Sequence, residues 1–398
     1  MSARRERTPR GASLTGDRYI VDVGPVAHGG HFVARHDGRV IFIRHALPGE
    51  RVVVEVTEGE KGSRYLRGDA VSVESAAPSR VEAPCPFAGP GRCGGCDFQH
   101  VSLEEQRLLK AAVVREQFHR LAGSAANDLV GSLVVEPAPD ERDGLRWRTR
   151  VRYAVSSSGA RGFRKHRSHD VVPVDDCLIT HPAAVSLVES SWSGEPAASH
   201  ENTEQVRDHR FRVASDGFWQ PHRDAPALLV DAVLDALDPQ PGESCMDLYA
   251  GVGLFARFLA DRVGEAGDVF AVEADRNAVR LARSNLAGVS GATVIRGRVD
   301  AVLKDPRTPS EVDLVVLDPP RTGAKRALVG AIASRAPRAV AYVACDPAAL
   351  ARDVATFAEH GYRLSGLRAF DLFPMTHHVE CVALLEKTGS DLRRSDSR

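Results

Sequence analysis

The sequence predicts a multidomain protein in which a small N-terminal β-barrel and a central α+β, strand-rich region precede a C-terminal α/β domain. The chain has 398 residues, and about 150 residues per domain allows two or three domains. Its first part contains short apolar runs separated by turns, which indicates β structure. Its last part alternates strand-like and helix-like segments, which indicates a parallel sheet covered by helices. We expect domains over residues 17–75, 76–205 and 206–390.

The composition is that of an ordinary folded protein. Hydrophobic residues make up 43% and charged residues 26%, which excludes disordered, collagen-like and coiled-coil chains. The 52 basic and 53 acidic residues leave a net charge of −1, which argues against nucleic-acid binding through global charge alone. The chain has no apolar run long enough to cross a membrane and no apolar signal-peptide core. We expect a soluble cytoplasmic protein without membrane contact, and we infer no obligate protein partner.

The first domain is predicted from its apolar runs. They are YIVDVGPV, HFVARH, RVIFIRHA, RVVVEVTE and LRGDAVSV, and turns containing Gly, Pro or Asp separate them. This pattern is typical of a small barrel of about five strands. Barrels of the oligonucleotide-binding type often bind RNA, but a purely structural barrel fits the pattern as well.

The central region combines one helix with paired strands. Ser102 and Glu105 form a capping box, apolar residues follow at helical spacing, and Gly123 ends the helix. Alternation from Trp147 to Cys177 predicts antiparallel strands. The segment from about Ala183 to Gln205 is rich in Ser, Glu and Ala, which is typical of a linker.

Four of the seven cysteines are candidate metal ligands. Three of them, Cys85, Cys93 and Cys96, lie in a turn-rich segment, and Cys177 supplies a distant fourth thiol. An odd number of cysteines without an export signal favours reduced thiols, metal ligands or a nucleophile over disulfides. Four thiolates suit zinc or an iron–sulfur cluster equally, and a loop without a metal is the remaining alternative.

A glycine-containing turn in the C-terminal domain is a candidate cofactor site. The turn DLYAGVG includes Tyr249 and Gly251, follows a predicted strand and begins a helix, so the backbone can approach a ligand closely. Glu273 ends the next strand, where a carboxylate can bind the hydroxyls of a ribose. The third glycine of a dinucleotide fingerprint is missing, so S-adenosylmethionine fits better than NAD. The alternative is a tight structural turn.

Two later strands end in residues that can carry chemistry. Asp318 begins the sequence DPPR, and Cys345 lies in ACDP, which places a thiol at the same rim as the cofactor turn. A thiolate that adds to carbon 6 of uracil makes carbon 5 nucleophilic enough to accept a methyl group. A base must then remove the hydrogen from carbon 5, and Glu380 in HHVEC is the candidate. The alternatives are a buried structural cysteine and a solvated glutamate.

In order, these motifs resemble those of the RNA uracil-5 methyltransferases that use S-adenosylmethionine. The matching segments are FWQ from Phe218, DLYAGVG, Glu273, DPPR, ACDP and HVEC. The resemblance implies a Rossmann-like methyltransferase domain in which Gln220, Tyr249, Glu273 and Asp318 contact the cofactor. It further implies that Cys345 is the nucleophile, that Glu380 is the base and that Arg321 helps to hold the uracil.

The resemblance extends to the rest of the chain. HGGHFVARHDGRVIFIRHALPGERV is similar to the OB-like TRAM domain that many members carry. Members similar to the 23S ribosomal RNA enzymes hold a [4Fe-4S] cluster with CGGC-type and DC-type cysteines, which correspond here to Cys93, Cys96 and Cys177. The spacing from Cys85 to Cys93 is longer than usual, so zinc or an empty loop stays an alternative.

A basic stretch is the candidate RNA-contact surface. Between residues 142 and 169 nine basic residues stand against one acid, namely Arg142, Arg146, Arg148, Arg150, Arg152, Arg161, Arg164, Lys165 and Arg167 against Asp143. Trp147, Tyr153 and Phe163 lie among them and could stack on unpaired bases. We expect an RNA substrate and, by the resemblance, favour ribosomal over transfer RNA. The alternatives are a transfer RNA enzyme, a non-catalytic RNA-binding protein and a small-molecule methyltransferase.

Overall fold

The computed structural model describes residues 11–123, 127–139, 143–188 and 200–389. It divides into two compact units. The first contains the described residues up to Leu109, together with Tyr153–Leu178 and Pro374–His377, and the second contains the others. The expected central domain, residues 76–205, contributes to both units, so the three domain boundaries stay a prediction from the sequence.

The first unit begins with a six-stranded sheet. Its strands are β1 (Arg18–Asp22), β2 (Val26–Ala27), β3 (His31–His36), β4 (Arg39–Arg44), β5 (Arg51–Glu58) and β6 (Tyr65–Ser75). They lie in the order β1-β5-β6-β4-β3-β2, and β1 also contacts β3, so the sheet curls. Alternate residues such as Ile41, Ile43 and Val54 are fully buried, which gives the sheet an apolar inner face. Each of the five predicted runs contains a strand, and the expected small β-barrel class is confirmed.

The middle of the chain forms short helices and strands. They are α1 (Leu103–Leu121), α2 (Asn127–Gly131), β7 (Val135–Pro137), β8 (Arg148–Val155), β9 (Arg161–Arg164), β10 (Val171–Pro173), β11 (Thr180–Val188), β12 (Glu201–Val206) and β13 (His209–Ala214). The predicted helix is confirmed, and the Glu105 N–H donates to the Ser102 hydroxyl at 3.4 Å. The predicted antiparallel pairing is also found, between β8 and β9 and between β9 and β10.

The predicted linker is wrong in both of its described parts. Strand β11 occupies its beginning and β12 its end, where β12 pairs with β13 in a hairpin. The composition of this segment did not distinguish a linker from strands, because strands with one exposed face accept Ser, Glu and Thr as readily as a linker does. The centre of the predicted linker, residues 189–199, lies outside the described residues.

The second unit contains the alternating elements that the sequence predicts. They are α3 (Ala225–Leu237), β14 (Ser244–Leu248), α4 (Leu254–Val263), β15 (Asp268–Glu273), α5 (Arg276–Asn285), β16 (Ala292–Arg296), α6 (Val299–Val302), β17 (Leu314–Leu317), α7 (Lys325–Ala333), β18 (Ala339–Ala344), α8 (Pro347–Glu359), β19 (Tyr362–Asp371) and β20 (Glu380–Lys387). The sheet order is β16-β15-β14-β17-β18-β20-β19-β7. The expected α/β class is therefore confirmed.

Apolar clusters cover both faces of this sheet. Met246 and Leu248 of β14 belong to one cluster together with residues of α1, α7 and α8. Cys245 of the same strand belongs to the other, together with residues of α3 and α4. Strands that are buried on both faces read as continuous apolar runs, which is why β17 and β18 could be recognised from the sequence.

Strand direction places five strand ends along one edge of the sheet. Strands β14 to β18 are parallel, so their carboxyl ends meet at this edge. Strand β20 is antiparallel to β18, and Ala344 pairs with Cys381. The residue after β18, Cys345, therefore lies next to the first residue of β20, Glu380. Within the described ranges, no helix combines the length and apolarity that crossing a bilayer requires.

A buried ion pair holds the end of β19 against α1. The Lys110 Nζ donates to the Asp371 Oδ1 at 2.5 Å and to the Phe373 carbonyl at 3.0 Å. Both side chains are completely inaccessible to solvent. The pair fixes the start of the connection that leads to β20.

We expect Lys110→Ala to lower the free energy of unfolding by about 3–5 kcal/mol, because Asp371 would be left buried without its cation. Urea unfolding of the two proteins measures the difference. Arg326→Ala is the matched control, since Arg326 and Glu359 form an ion pair whose side chains are 74% and 50% exposed, and its loss should cost less than about 1 kcal/mol. Equal losses for the two variants would contradict the assigned role of the buried pair.

Candidate active site

A cavity of about 810 Å³ lies in the second unit at the sheet edge where β14, β15, β17 and β18 end and β20 begins. Eight residues singled out from the sequence line it together: Gln220, Tyr249, Gly251, Glu273, Asp318, Arg321, Cys345 and Glu380. They come from segments up to 160 positions apart in the chain. The structure thus brings together all the predicted catalytic, cofactor and substrate residues, whereas their individual roles stay predictions.

The turn after β14 is shaped by left-handed backbone. Tyr249, Gly251 and Gly253 have φ angles of 65°, 55° and 90°. This region is open to glycine but strained for a tyrosine, and such strain is concentrated at functional sites. Directly below, the buried Asp247 accepts the Ala256 N–H at 2.9 Å, which ties the turn to the start of α4.

Glu273 at the end of β15 connects this turn to the next loop. Its carboxylate accepts the Gly251 N–H at 2.9 Å and the N–H groups of Ala274 and Asp275, each at 2.7 Å. Each carboxylate oxygen can accept more than one hydrogen bond, so the group can still receive a hydroxyl. Its orientation is set by backbone donors before any ligand arrives.

Two carboxyl groups in the cavity have strongly raised pKa values. Desolvation raises the pKa of Asp318 to about 7, although the Gln220 Nε2 donates to its Oδ2 at 3.2 Å and opposes the shift. The pKa of Glu380 is also raised well above its usual value, first by burial and then by the charge of Asp318, while Arg321 acts in the opposite direction. Such environments are typical of catalytic acids and bases.

Cys345 lines the cavity with a partly buried thiol. Burial, and next the negative charge of Glu380, raise its pKa to about 11, and Arg321 opposes this shift. The following residue, Asp346, caps α8 by accepting the Ala349 N–H at 2.7 Å. The thiol is therefore held at the rim by a rigid strand-to-helix turn.

The cavity contains residues to which sequence reasoning assigned no role. The Arg321 Nη2 lies 3.2 Å from the His378 Nε2, and the His378 ring meets Phe373 edge-on at 5.7 Å. Phe218 lines the same cavity with 71% of its surface exposed, which is unusual for a large apolar residue. In the sequence, Phe218 stands out only as part of the FWQ motif, because a single sequence does not show which apolar side chains are exposed.

The basic stretch is only partly available to a partner. Trp147 and Tyr153 are each 6% exposed, so the prediction that these two rings stack on bases is wrong. The Arg150 Nη1 donates to the carbonyl oxygens of Ala214, Ser215 and Gly217 at 2.9–3.1 Å. Arg150 therefore supports the loop that lines the cavity. The predicted Arg142 lies outside the described residues.

The four candidate metal ligands are neighbours in the first unit. The Cys177 charge contributes to raising the pKa of Cys85, Cys93 and Cys96, although burial is the largest cause in each case. None of the four cysteines is in a disulfide and all four are partly buried, and thiolates are the usual ligands of such a cluster. However, the described residues include no group of three or more His, Cys, Asp or Glu side chains placed to hold a metal ion. The [4Fe-4S] cluster therefore stays a prediction.

Comparisons with known proteins agree with this site. A family model described as tRNA (Uracil-5-)-methyltransferase matches residues 300–388, one described as TRAM domain matches residues 12–71, and one described as methyltransferase small domain matches residues 224–341. A protein of Streptomyces avermitilis named as an uncharacterized RNA methyltransferase is 46% identical, over 95% of this chain and all of the relative. The 23S rRNA (uracil(1939)-C(5))-methyltransferase RlmD of a Shewanella species is 30% identical, over 95% of this chain and 98% of RlmD.

The chain belongs to the RNA uracil-C5 methyltransferase family. The resemblance that the motifs indicate is confirmed, and so is the TRAM domain. Among solved structures, the Pyrococcus abyssi tRNA (uracil-54, C5)-methyltransferase in complex with S-adenosyl-L-homocysteine shares the fold. The TM-score is 0.67 at 20% identity, over 92% of this chain and all of that chain.

The cluster prediction is checked by iron and acid-labile sulfide analysis of protein purified without oxygen. We expect about four iron and four sulfide ions per chain, and visible absorption that Cys93→Ser removes, because four thiolates are the usual ligands of such a cluster. Cys245→Ala is the matched control, since Cys245 lies in β14 of the second unit, whereas the four candidate ligands belong to the first unit. Bound zinc, or less than about one iron per chain, would show the prediction to be wrong.

Proposed function

We propose that the chain transfers a methyl group from S-adenosylmethionine to carbon 5 of a uridine in structured RNA, with 23S ribosomal RNA as its substrate. The observation that carries this proposal is the placement of Cys345 and Glu380. The register between β18 and β20 sets a thiol beside a carboxyl group, and both line the cavity that contains the cofactor turn. Covalent activation of a uracil ring needs such a nucleophile and base next to the methyl donor.

The methyl donor fits the part of the cavity formed by β14, β15 and α5. Glu273 is oriented to accept the ribose hydroxyls, and Gly251 leaves the turn without a side chain. Leu281 and Ala278 add apolar surface for an adenine ring. Gln220 and Asp318 lie on the side towards Cys345, where the reactive methionine part would be held.

The proposed reaction begins at Cys345. Its thiol gives its proton to solvent, and the sulfur forms a bond to carbon 6 of the uracil, which moves the electrons of the ring double bond onto carbon 5 and oxygen 4. Carbon 5 then takes the methyl group as its bond to the donor sulfur breaks. Glu380 accepts the hydrogen of carbon 5, and the electrons that this releases expel the Cys345 thiolate and restore the ring double bond.

Arg321 and Phe218 are placed to assist the uracil. The guanidinium of Arg321 is exposed and held by His378, so it can stabilise negative charge on the uracil oxygen. Burial raises the pKa of Cys345, and the charge of Arg321 partly opposes this rise. The exposed ring of Phe218 offers a stacking surface for an unpaired base. A target base that is stacked in a helix would have to be extruded to reach the thiol.

Ribosomal RNA is favoured over transfer RNA on the basis of the relatives. RlmD, named for its action on 23S rRNA, matches this chain over nearly its full length at 30% identity. The transfer RNA enzyme of Pyrococcus abyssi shares the fold at 20% identity, which carries no information on the substrate. The four cysteines would then hold a cluster that supports the RNA-binding part of the protein, because methyl transfer needs no redox step.

The proposed reaction is tested with labelled S-adenosylmethionine and unmodified ribosomal and transfer RNA, supplied separately. We expect 5-methyluridine in ribosomal RNA by nucleoside mass analysis, and none with Cys345→Ala, because carbon 5 would no longer be activated. If 5-methyluridine formed only in transfer RNA, the substrate would be transfer RNA and not ribosomal RNA. No product with either RNA from folded protein, or unchanged product with Cys345→Ala, would contradict the proposal.

Glu380→Gln should trap the covalent intermediate. Without a base to remove the hydrogen from carbon 5, Cys345 stays bonded to carbon 6, and turnover falls by about 10²- to 10⁴-fold. A protein–RNA adduct that survives a denaturing gel is the expected result. The adduct should be absent from the Cys345→Ala, Glu380→Gln double variant. Full turnover by Glu380→Gln would assign the base to another residue.

A further inference from the structure

The cavity is strongly acidic. Its walls carry the carboxyl groups of Asp216, Glu273, Asp275, Asp318 and Glu380, and among the described residues that line it Arg321 is the only arginine or lysine. Glu273 and Asp275 are bound by backbone N–H groups at the far side, near the turn. Asp318 and Glu380 lie instead on the side of the reactive thiol. The reacting end of the cavity therefore has two carboxyl groups and one guanidinium.

Asp318 and Glu380 belong to neighbouring parts of the sheet edge. Asp318 follows β17, Glu380 begins β20, and β18 with Cys345 lies between them. Strands β17 and β20 are two strand spacings apart, about 10 Å, and both side chains line the same cavity, so the charge of Asp318 acts on Glu380. Glu380 is only 4% exposed. Asp318 faces the cavity and receives one hydrogen bond from Gln220.

The groups around this pair favour the uncharged form of one carboxyl. Asp247 lies behind Asp318, and burial raises its pKa to about 7, with Asp318 and Glu273 adding to the shift. On the other side, burial raises the pKa values of the Cys345 and Cys381 thiols, and the charges of Glu380 and Asp346 add to the rise. Arg321 opposes the carboxyl charges, but its guanidinium also contacts His378 and is open to solvent. Two buried carboxylates with one shared, screened cation do not both ionise readily at neutral pH.

We propose that Asp318 and Glu380 share a proton in the unliganded site and release it when the positively charged methyl donor enters, so that the pair distinguishes the charged donor from its neutral product. This inference rests on the proposed function, because it concerns the same cavity and the same donor. The sulfonium adds one positive charge beside the pair. This charge stabilises the form in which both carboxyls are ionised, so the pair releases its proton to solvent. S-adenosylhomocysteine has no such charge.

The shared proton gives Asp318 a part in the reaction itself. While the sulfonium is present, both carboxyls are ionised, and Glu380 is ready to act as a base. Methyl transfer removes the positive charge, so the affinity of the pair for a proton rises at the step in which Glu380 must take the hydrogen from carbon 5. The pair releases this proton to solvent when the next charged donor binds. Each turnover therefore takes one proton from carbon 5 and returns one proton to solvent.

The test compares two ligands of similar size that differ in this charge. S-adenosylhomocysteine is neutral at the sulfur, and sinefungin carries an ammonium group at the position of the sulfonium methyl. Isothermal titration of the full chain near pH 7, in two buffers of different ionisation enthalpy, counts the protons released on binding. We expect sinefungin to release at least about 0.5 proton more than S-adenosylhomocysteine. The affinity ratio should also shift towards sinefungin by up to about tenfold between pH 6 and pH 8.

Two variants test whether the released proton comes from Asp318 and Glu380. In Glu380→Gln the carboxyl that shares the proton with Asp318 is absent, so the difference between the ligands should fall by at least half. Asp216→Asn is the matched control, because it removes another cavity carboxyl that is not part of the pair, and it should keep the full difference. The wild-type comparison stands by itself if Glu380→Gln does not fold.

The outcomes separate this inference from the proposed function. Binding of both ligands with equal proton counts would overturn the shared proton and leave the cofactor site intact. A proton difference that survives in Glu380→Gln would also overturn it. Absence of binding heat for both ligands would contradict the proposed function, and the inference would fall with it.

Discussion

The chemistry of this protein depends on the reversal of one strand at the edge of the large sheet. Parallel strands β14, β15, β17 and β18 deliver the cofactor turn, Glu273, Asp318 and Cys345 to a single edge, as open α/β sheets do. A further parallel strand would have sent Glu380 to the opposite edge. Because β20 runs antiparallel, with Cys381 opposite Ala344, its first residue meets the last residues of β18. The proposed nucleophile and the proposed base are therefore neighbours because of the backbone pairing between β18 and β20.

Buried polar contacts keep the loops of this edge in place. The Asp353 carboxylate accepts the N–H groups of Ala324 and Lys325 at 2.6 and 3.1 Å and the Tyr342 hydroxyl at 2.7 Å, which fixes the loop after Arg321. Lys110 performs a similar task for the connection between β19 and β20. Buried ion pairs often stabilise a protein less than apolar residues of similar size would. They do impose one geometry, and a site to which several loops contribute requires a defined geometry.

The acidic cavity opposes folding while it prepares the site for a cation. The pKa values of Asp247, Asp318 and Glu380 are raised in the folded chain, so the folded protein binds protons more tightly than the unfolded one. Their unfavourable effect on stability therefore grows as the pH rises from about 4, the ordinary carboxyl value, towards 7. A positively charged ligand in the cavity would reduce this unfavourable effect by stabilising the ionised carboxylates. Active sites often contain charged groups that lower the stability of the folded protein but are needed for activity.

Local patterns in the sequence were enough to predict the fold class of each domain and most residues of the candidate site. Apolar periodicity identified the curled sheet and the parallel strands, and short motifs identified Glu273, Asp318, Cys345 and Glu380, because strand ends and turns have local signals. The burial of Trp147 and Tyr153, and the hydrogen bonds from Arg150 to the cavity loop, could not be predicted in this way and became known from the folded structure. The same is true of Lys110 and His378, whose partners are far away or depend on a loop conformation. Burial and cross-strand neighbours arise from long-range pairing, and a local pattern contains no information on which distant segment will lie beside it.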